Sequence, residues 1–219
     1  MRIYLRLSKN KEAIPYDYQH LLTGVVHKWI GKGNKEHGQR SLYSFSWLKN
    51  TTSNEGGIHL KPEAYFFISA YDSSLIKQII KGILENPHIF CGTQVTGVQI
   101  KETPEFSNEE KFFLDSPILI RKREGEKIKH ITYREEDFGS LLTENIKSKL
   151  QFAGINAEGI SVELDKSYAF PQTKLVDYKG IKNKTTLAPI IIKGSPEQIA
   201  FAWTVGLGNS TGIGFGAIK

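Results

Sequence analysis

The sequence predicts an α+β fold: two tandem ferredoxin-like (βαββαβ, RRM-like) domains with a C-terminal glycine-rich loop. Three observations carry this. Short stretches alternating with period two are interleaved with amphipathic stretches of period 3.6. The order strand, helix, strand, strand, helix, strand is legible over residues 1–106 and again, less cleanly, over 112–219. A chain of 219 residues also accommodates two units of roughly 100 residues each.

In the first unit "RIYLRL" (2–7) alternates as a half-buried strand does. Pro15 precedes "YDYQHLLTGVVHKWIG" (16–31), a helix in which Tyr18, Leu21, Leu22, Val25 and Trp29 recur at three- and four-residue spacing. "SLYSFSWL" (41–48) and "AYFFISAY" (64–71) are aromatic-rich strands. "SSLIKQIIKGILEN" (73–86) is an amphipathic helix capped by Asp72 or Ser73, and "TQVTGVQIKE" (93–102) returns as a strand. The polar "TPEFSNEEK" (103–111) is the expected linker. In the second unit "SPILIRK" (116–122) is a strand and "DFGSLLTENIKSKLQFAG" (137–154) a helix, followed by strands in "SVELDKSYAF" (161–170) and "LAPIIIKG" (187–194). "SPEQIAFAWTVG" (195–206) opens a helix with Ser195 as N-cap, Pro196 at the first helical position and Gln198 completing a capping box. "GIGFGAIK" (212–219) reads as one short closing strand.

Hydrophobic residues at 39% support packed cores, and the longest apolar runs are far short of a membrane span. No signal peptide or transmembrane helix is expected, and the lone Cys91 excludes an internal disulfide and a cysteine-built zinc site, which favours a cytoplasmic location. Lys and Arg number 29 against 23 Asp and Glu, a net charge of +6 that suits a polyanionic partner.

The motif "GLGNSTGIGFG" (206–216) holds five glycines after a helix and before a strand. A dinucleotide fingerprint has the reverse order, and a P-loop ends in Lys followed by Ser or Thr; neither is present. Gly206, Gly208, Gly212, Gly214 and Gly216 would let successive backbone N–H groups meet one anion, with Asn209, Ser210 and Thr211 adding polar side chains. In a basic chain this points to the phosphates of an RNA backbone.

With its preceding helix, "GLGNSTGIGFG" resembles the C-terminal glycine-rich signature of the CRISPR-associated endoribonucleases that cut repeat RNA into guides, the sixth Cas family. "GVVHKWIG", "HGQRSLYSFSWL", "GGIHLKPEAYFFISAYD", "SPILIR", "YKGIKNK" and "GSPEQIAFAWTVGLG" follow in that family's order, so the likeness covers nearly the whole chain. The resemblance implies tandem ferredoxin-like domains, no cofactor and no metal. It also implies cleavage of pre-crRNA through the RNA's own 2′-hydroxyl, leaving 2′,3′-cyclic phosphate ends.

That chemistry needs a base for the 2′-OH, an acid for the leaving 5′-oxygen and positive charge for the phosphorane. Histidine, with an unperturbed pKa of about 6.5, suits both proton roles. His37 sits in the polar loop "GKGNKEHGQR" and matches the family's catalytic histidine. His27 shares with His20, Gly24 and Gly31 the helix face opposite Leu22, Val25 and Trp29, where the family often has a tyrosine. Tyr43, on the aromatic face of its strand with Phe45 and Trp47, would bring a phenol to the scissile phosphate or belong to the core. Lys28, Lys35 and Arg40 compete as charge stabilisers. Lys179, Lys182 and Lys184 in "YKGIKNK", the hairpin-like "REGEKIKHITYR" (123–134), and Lys147 and Lys149 are expected to hold the rest of the RNA.

The expected partner is CRISPR repeat RNA, with other Cas effector subunits and a second copy of the chain as further partners and no membrane. Two readings compete with the endoribonuclease: a subunit that binds repeat RNA without cutting it, and a small-molecule phosphate binder using the terminal loop.

Overall fold

The structure, a computed structural model, describes residues 1–31 and 41–219. Alternation in β1 (Arg2–Leu7) buries Ile3 and Leu5 on one face of an antiparallel sheet and sends Arg2 to the other. β1 pairs with β4 (Gly57–Ala70) and β5 (Val95–Lys101), and β4 with β2 (Tyr43–Phe45), giving the order β2–β4–β1–β5. Helices α1 (Gln19–Ile30) and α2 (Ser73–Glu85) cover the Ile3/Leu5 face and bury Leu22, Val26, Trp29, Ile76 and Ile79 with Phe66 and Ile68. Asp72 caps α2 by accepting from the Ser74 amide at 2.8 Å.

The second half repeats this plan. β6 (Glu109–Phe112), β12 (Ile190–Lys193) and β9 (Ser161–Leu164) form the order β6–β12–β9, and a bridge from Leu114 to Ile218 continues it on the β6 side. Helices α3 (Phe138–Phe152) and α4 (Pro196–Val205) pack on it, burying Leu142, Ile146, Ile199 and Ala202 with Ile190 and Ile192. The capping box at Ser195 and Gln198 forms as expected, with both reciprocal bonds present. Each half is ferredoxin-like.

Several elements differ from the sequence reading. The stretch 41–48 is extended only at Tyr43–Phe45, and β3 (Lys49–Asn54) forms an unanticipated hairpin with the first part of β4. Glu109 and Glu110, read as linker, lie in β6, where Lys193 meets Glu109. "SPILIRK" is strand only from β7 (Ile120–Glu124), which turns at Gly125 into β8 (Lys127–Ile131). β10 (Gln172–Tyr178) and β11 (Ile181–Leu187) form a second hairpin, turning through Lys179 and Gly180, both at positive φ. The expected closing strand 212–219 is instead a 3₁₀ turn, Thr211–Ile213, followed by the single bridge at Ile218. Glycines at positive φ interrupt the extended backbone there.

The halves meet over a seam dominated by Arg2. It is fully buried, stacked between Phe67 and Trp203, and its Nη2 donates to Trp203 O at 2.7 Å and Ile218 O at 2.8 Å. Burial pushes its guanidinium down to about 10. Beside it Ser44 donates to Thr204 O, and Asp115, also buried, is paired with Lys49 at 2.7 Å and Lys219 at 3.1 Å. Phe215 fills the seam against Leu119, Val176 and Trp47.

Candidate functional site

The glycine loop is a wedge between the halves, and its carbonyls are what the first half reads. Three α1 residues four apart, Gln19, Thr23 and His27, form a polar stripe facing the 3₁₀ turn. Gln19 Nε2 donates to Ile213 O at 2.8 Å, and Thr23 Oγ1 to the same oxygen at 3.3 Å. Tyr43 Oη on β2 donates to Gly212 O at 3.1 Å and lies 3.2 Å from His27 Nε2. Trp47 Nε1 donates to Gly214 O at 2.9 Å.

The loop's amides are largely occupied within the chain. The N–H groups of Leu207, Asn209, Ile213, Gly214 and Gly216 donate to the carbonyls of Gly216, Leu119, Ser210, Thr211 and Pro117. Two glycines show why larger residues do not fit. At Gly216, with φ of +65°, a Cβ would collide with the Leu207 carbonyl; at Gly212 it would lie 2.9 Å from the Tyr43 hydroxyl. The glycines thus serve first to let the loop pack into the seam. Gly206, Gly208, Thr211, Gly212 and Gly214 are buried, whereas Asn209 and Ser210 are half-buried at the surface.

Beneath the loop, buried Lys149 on α3 donates to Gly206 O at 3.0 Å and reaches Thr211 Oγ1 at 3.5 Å. At its rim Arg121 donates its amide to Asn209 Oδ1 and a guanidinium N–H to Ser210 Oγ. Arg121 pairs across the hairpin with His130, whose imidazole is pushed down by burial and by the charges of Arg121 and Lys184. Arg121 thus borders the loop and Lys184 lies close enough to act on His130, while Lys182 is exposed on β11 and Lys179 at the β10–β11 turn.

The structure brings His27 and Tyr43 together beside the loop. Gly24, one turn before His27, is exposed, and a Cβ there would meet nothing within 4 Å. His20, which the sequence placed on the same face, turns its Nδ1 to Asp17 O at 2.8 Å. Lys28 is drawn to the far side, where its Nζ donates to His88 O and Asn86 Oδ1, so it does not join His27 and Tyr43. His37, Lys35 and Arg40 lie outside the described residues. Gln19, Thr23, Arg121 and Trp47 escaped the sequence reading as site residues. The i, i+4, i+8 recurrence of Gln19, Thr23 and His27 was the available signal for the first two. Among the described residues no three His, Cys, Asp or Glu side chains gather as a metal site, and no helix is long and apolar enough to cross a membrane.

Residues 101–219 match the family model described as CRISPR associated protein Cas6, C-terminal. The chain belongs to the Cas6 family. Its full length aligns at 26% identity with a CRISPR-associated endoribonuclease-like protein Cas6 of Pyrococcus furiosus, covering 98% of that protein. At the same identity it aligns with CRISPR-associated endoribonuclease Cas6 1 of Methanocaldococcus jannaschii, covering 92%. A solved structure described as a RAMP protein binding different RNA substrates superposes with a TM-score of 0.86 at 20% identity, over all of this chain and 98% of that one. Its Cas6 relatives share the tandem ferredoxin-like fold.

Proposed function

We propose that this Cas6-family chain is an endoribonuclease that cleaves CRISPR repeat RNA without a metal, by attack of a 2′-hydroxyl on the adjacent phosphate, leaving a 2′,3′-cyclic phosphate. The observation that carries the reading is the His27–Tyr43–Gly212 contact: a proton-bearing pair from the first half is registered on the glycine loop of the second. A single phenol proton is donated to the Gly212 carbonyl, so His27 Nε2 must donate to Tyr43 Oη. With Nε2–H engaged by Tyr43, the proton His27 can give the departing 5′-oxygen is the Nδ1–H of its imidazolium form, whose charge also stabilises the phosphorane, and His37 is the partner base. Tyr43 is the positioning residue. The first domain carries these three, and the second, beginning at β6, carries the RNA-holding surface. On it Arg121, Ser210, Asn209, Lys182, Lys184 and Lys179 meet phosphates, and the loop glycines shape the seam that RNA crosses. Lys35 and Arg40 remain the candidates for transition-state charge.

Cleavage of the repeat RNA from the encoding genome is expected to persist in excess EDTA. It is expected to stop when the single nucleotide upstream of the cut is 2′-deoxy. Activity lost on chelation, or a deoxy substrate cut at the normal rate, overturns the mechanism; RNA bound but never cut points to a binding subunit.

A further inference from the structure

Behind the 3₁₀ turn a cleft of about 230 Å³ opens between the start of α1, Trp47 and β10, lined by Tyr16, Gln19, Trp47, Lys174 and Leu175. Drug-sized ligands take pockets of about 300–1,000 Å³, so this space suits one flat ring system. Tyr16 is 62% exposed and Trp47 half-buried, offering π-faces on which a base stacks. Lys174 Nζ lies over the Trp47 ring, 4.6 Å from its centroid, its ammonium pushed down by burial, so a base stacking on that face displaces the ammonium.

Gln19 supplies the chemical signal. It is 3% exposed, and its Nε2 bond to the Ile213 carbonyl fixes which end of the amide is which, because a carbonyl accepts only from the NH₂. Its Oε1 is buried and has no hydrogen-bond partner among the described residues. Buried acceptors are rarely left unmet, so a donor N–H is missing there. The carbonyl Gln19 holds belongs to the residue after Gly212, so the cleft adjoins the Tyr43–His27 pair.

We propose that this cleft is a nucleobase pocket. It takes one amino-bearing base of the RNA beside the cut, stacked on Tyr16 and Trp47, with its exocyclic amine donating to Gln19 Oε1 and Lys174 meeting the flanking phosphate. Uracil is rejected because carbonyls flank its one ring N–H. The pocket's place beside the cut rests on the RNA-processing reading; its base preference does not.

Trp29 and Trp203 are 2% and 3% exposed, so Trp47 is the indole a base reaches, and its emission reports occupancy. The test titrates the full chain with hexamers of cytidylate and of uridylate, which differ in the base's exocyclic amine. Oligo(rC) is expected to quench Trp47 and to bind about 5- to 150-fold tighter than oligo(rU), the range for leaving one buried polar group unpaired. Gln19→Met is expected to abolish that preference. Trp47→Phe, which leaves Gln19 in place, is expected to keep the preference while removing the quench. Lys174→Gln is expected to weaken both hexamers equally and to lower the salt slope by about one. Equal affinities in the wild type, a preference surviving Gln19→Met, or unchanged Trp47 emission overturns the pocket. Cleavage of repeat RNA, assayed in parallel, separates the two readings. A chain that cuts repeat RNA without base preference loses only the pocket; one that prefers oligo(rC) but cuts nothing loses only the nuclease.

Discussion

Tyr43 sets which ring nitrogen of His27 carries a hydrogen. Because the Gly212 carbonyl takes the phenol proton, the imidazole beside it carries hydrogen at Nε2, as the neutral tautomer or as the cation. That hydrogen is engaged by Tyr43, so in the proposed reaction the donor to the leaving oxygen is the imidazolium form, with a second hydrogen at Nδ1. His27→Ala is expected to lower the single-turnover cleavage rate by about 10²–10⁴ at saturating enzyme, where binding drops out of the comparison. His37→Ala is expected to fall in the same range. Tyr43→Phe keeps the ring packing and loses the hydroxyl, so a smaller loss, on the order of tenfold, is expected. His27→Tyr is expected to recover part of the rate, since a phenol donates from the same helix face. A variant that stays as slow as His27→Ala shows that an imidazole is required, and a wild-type rate for His37→Ala moves the base elsewhere.

At the scale of elements, helices were the legible part of the sequence. α2 and α4 carry their start signals in two or three adjacent residues, and Asp72, Ser195, Pro196 and Gln198 perform those roles in the structure. Strands were less legible because their partners are distant. β3 and β8 are polar and exposed, held by hairpin pairing that no local pattern announces, and the Glu-rich start of β6 imitates a linker. The candidate site was half legible. His27 and Tyr43 stand out by residue type, whereas Gln19 and Thr23 act through one backbone carbonyl of a turn nearly 200 residues away. The glycine signature was read as an anion cradle, yet local sequence cannot reveal that Leu207 and Tyr43 press on it from within. Asp165, just after β9, shows the same distance problem. Its carboxylate is held down to about 2 by hydrogen bonds from Lys111 on β6 and from Ser167. A folded-state pKa below the unfolded one, near 3.9, contributes stability above about pH 4 that disappears as pH falls towards 2. Asp165→Asn is therefore expected to be less stable than wild type at pH 6 in urea unfolding, with the gap closing between about pH 4 and 2. A gap that is constant with pH assigns the effect to packing instead.

On the scale of the whole molecule, the proposed reaction centre is divided between the two halves, so its geometry depends on what locks them together. His27 and Tyr43 belong to the first half and Gly212 to the second, and the seam is built around the buried Arg2 guanidinium. A buried cation is tolerated there because two carbonyls and Ser69 Oγ accept its hydrogens while Phe67 and Trp203 sandwich its plane. Lysine has neither the fork nor the flat faces, so Arg2→Lys is expected to be destabilising despite keeping the charge. Arg2→Ala removes the donor to both carbonyls, each left buried at a cost of about 1–3 kcal/mol, and opens a cavity between two aromatic rings. A loss on the order of 3 kcal/mol or more is expected in urea unfolding. The location of that loss separates a domain lock from an ordinary core residue. If Arg2 locks the halves, unfolding of Arg2→Ala followed by tryptophan emission, to which Trp203 of the second half contributes, and by hydrogen exchange in β1 and β4 is expected to split into two transitions. Below the first transition the cleavage rate is expected to fall further than RNA affinity, because Tyr43 loses its register on Gly212 while the proposed phosphate-binding residues of β7, β8 and β11 lie within one half. A single shifted transition, with rate and affinity falling together, makes Arg2 a contributor to one continuous core and removes the domain lock from the mechanism.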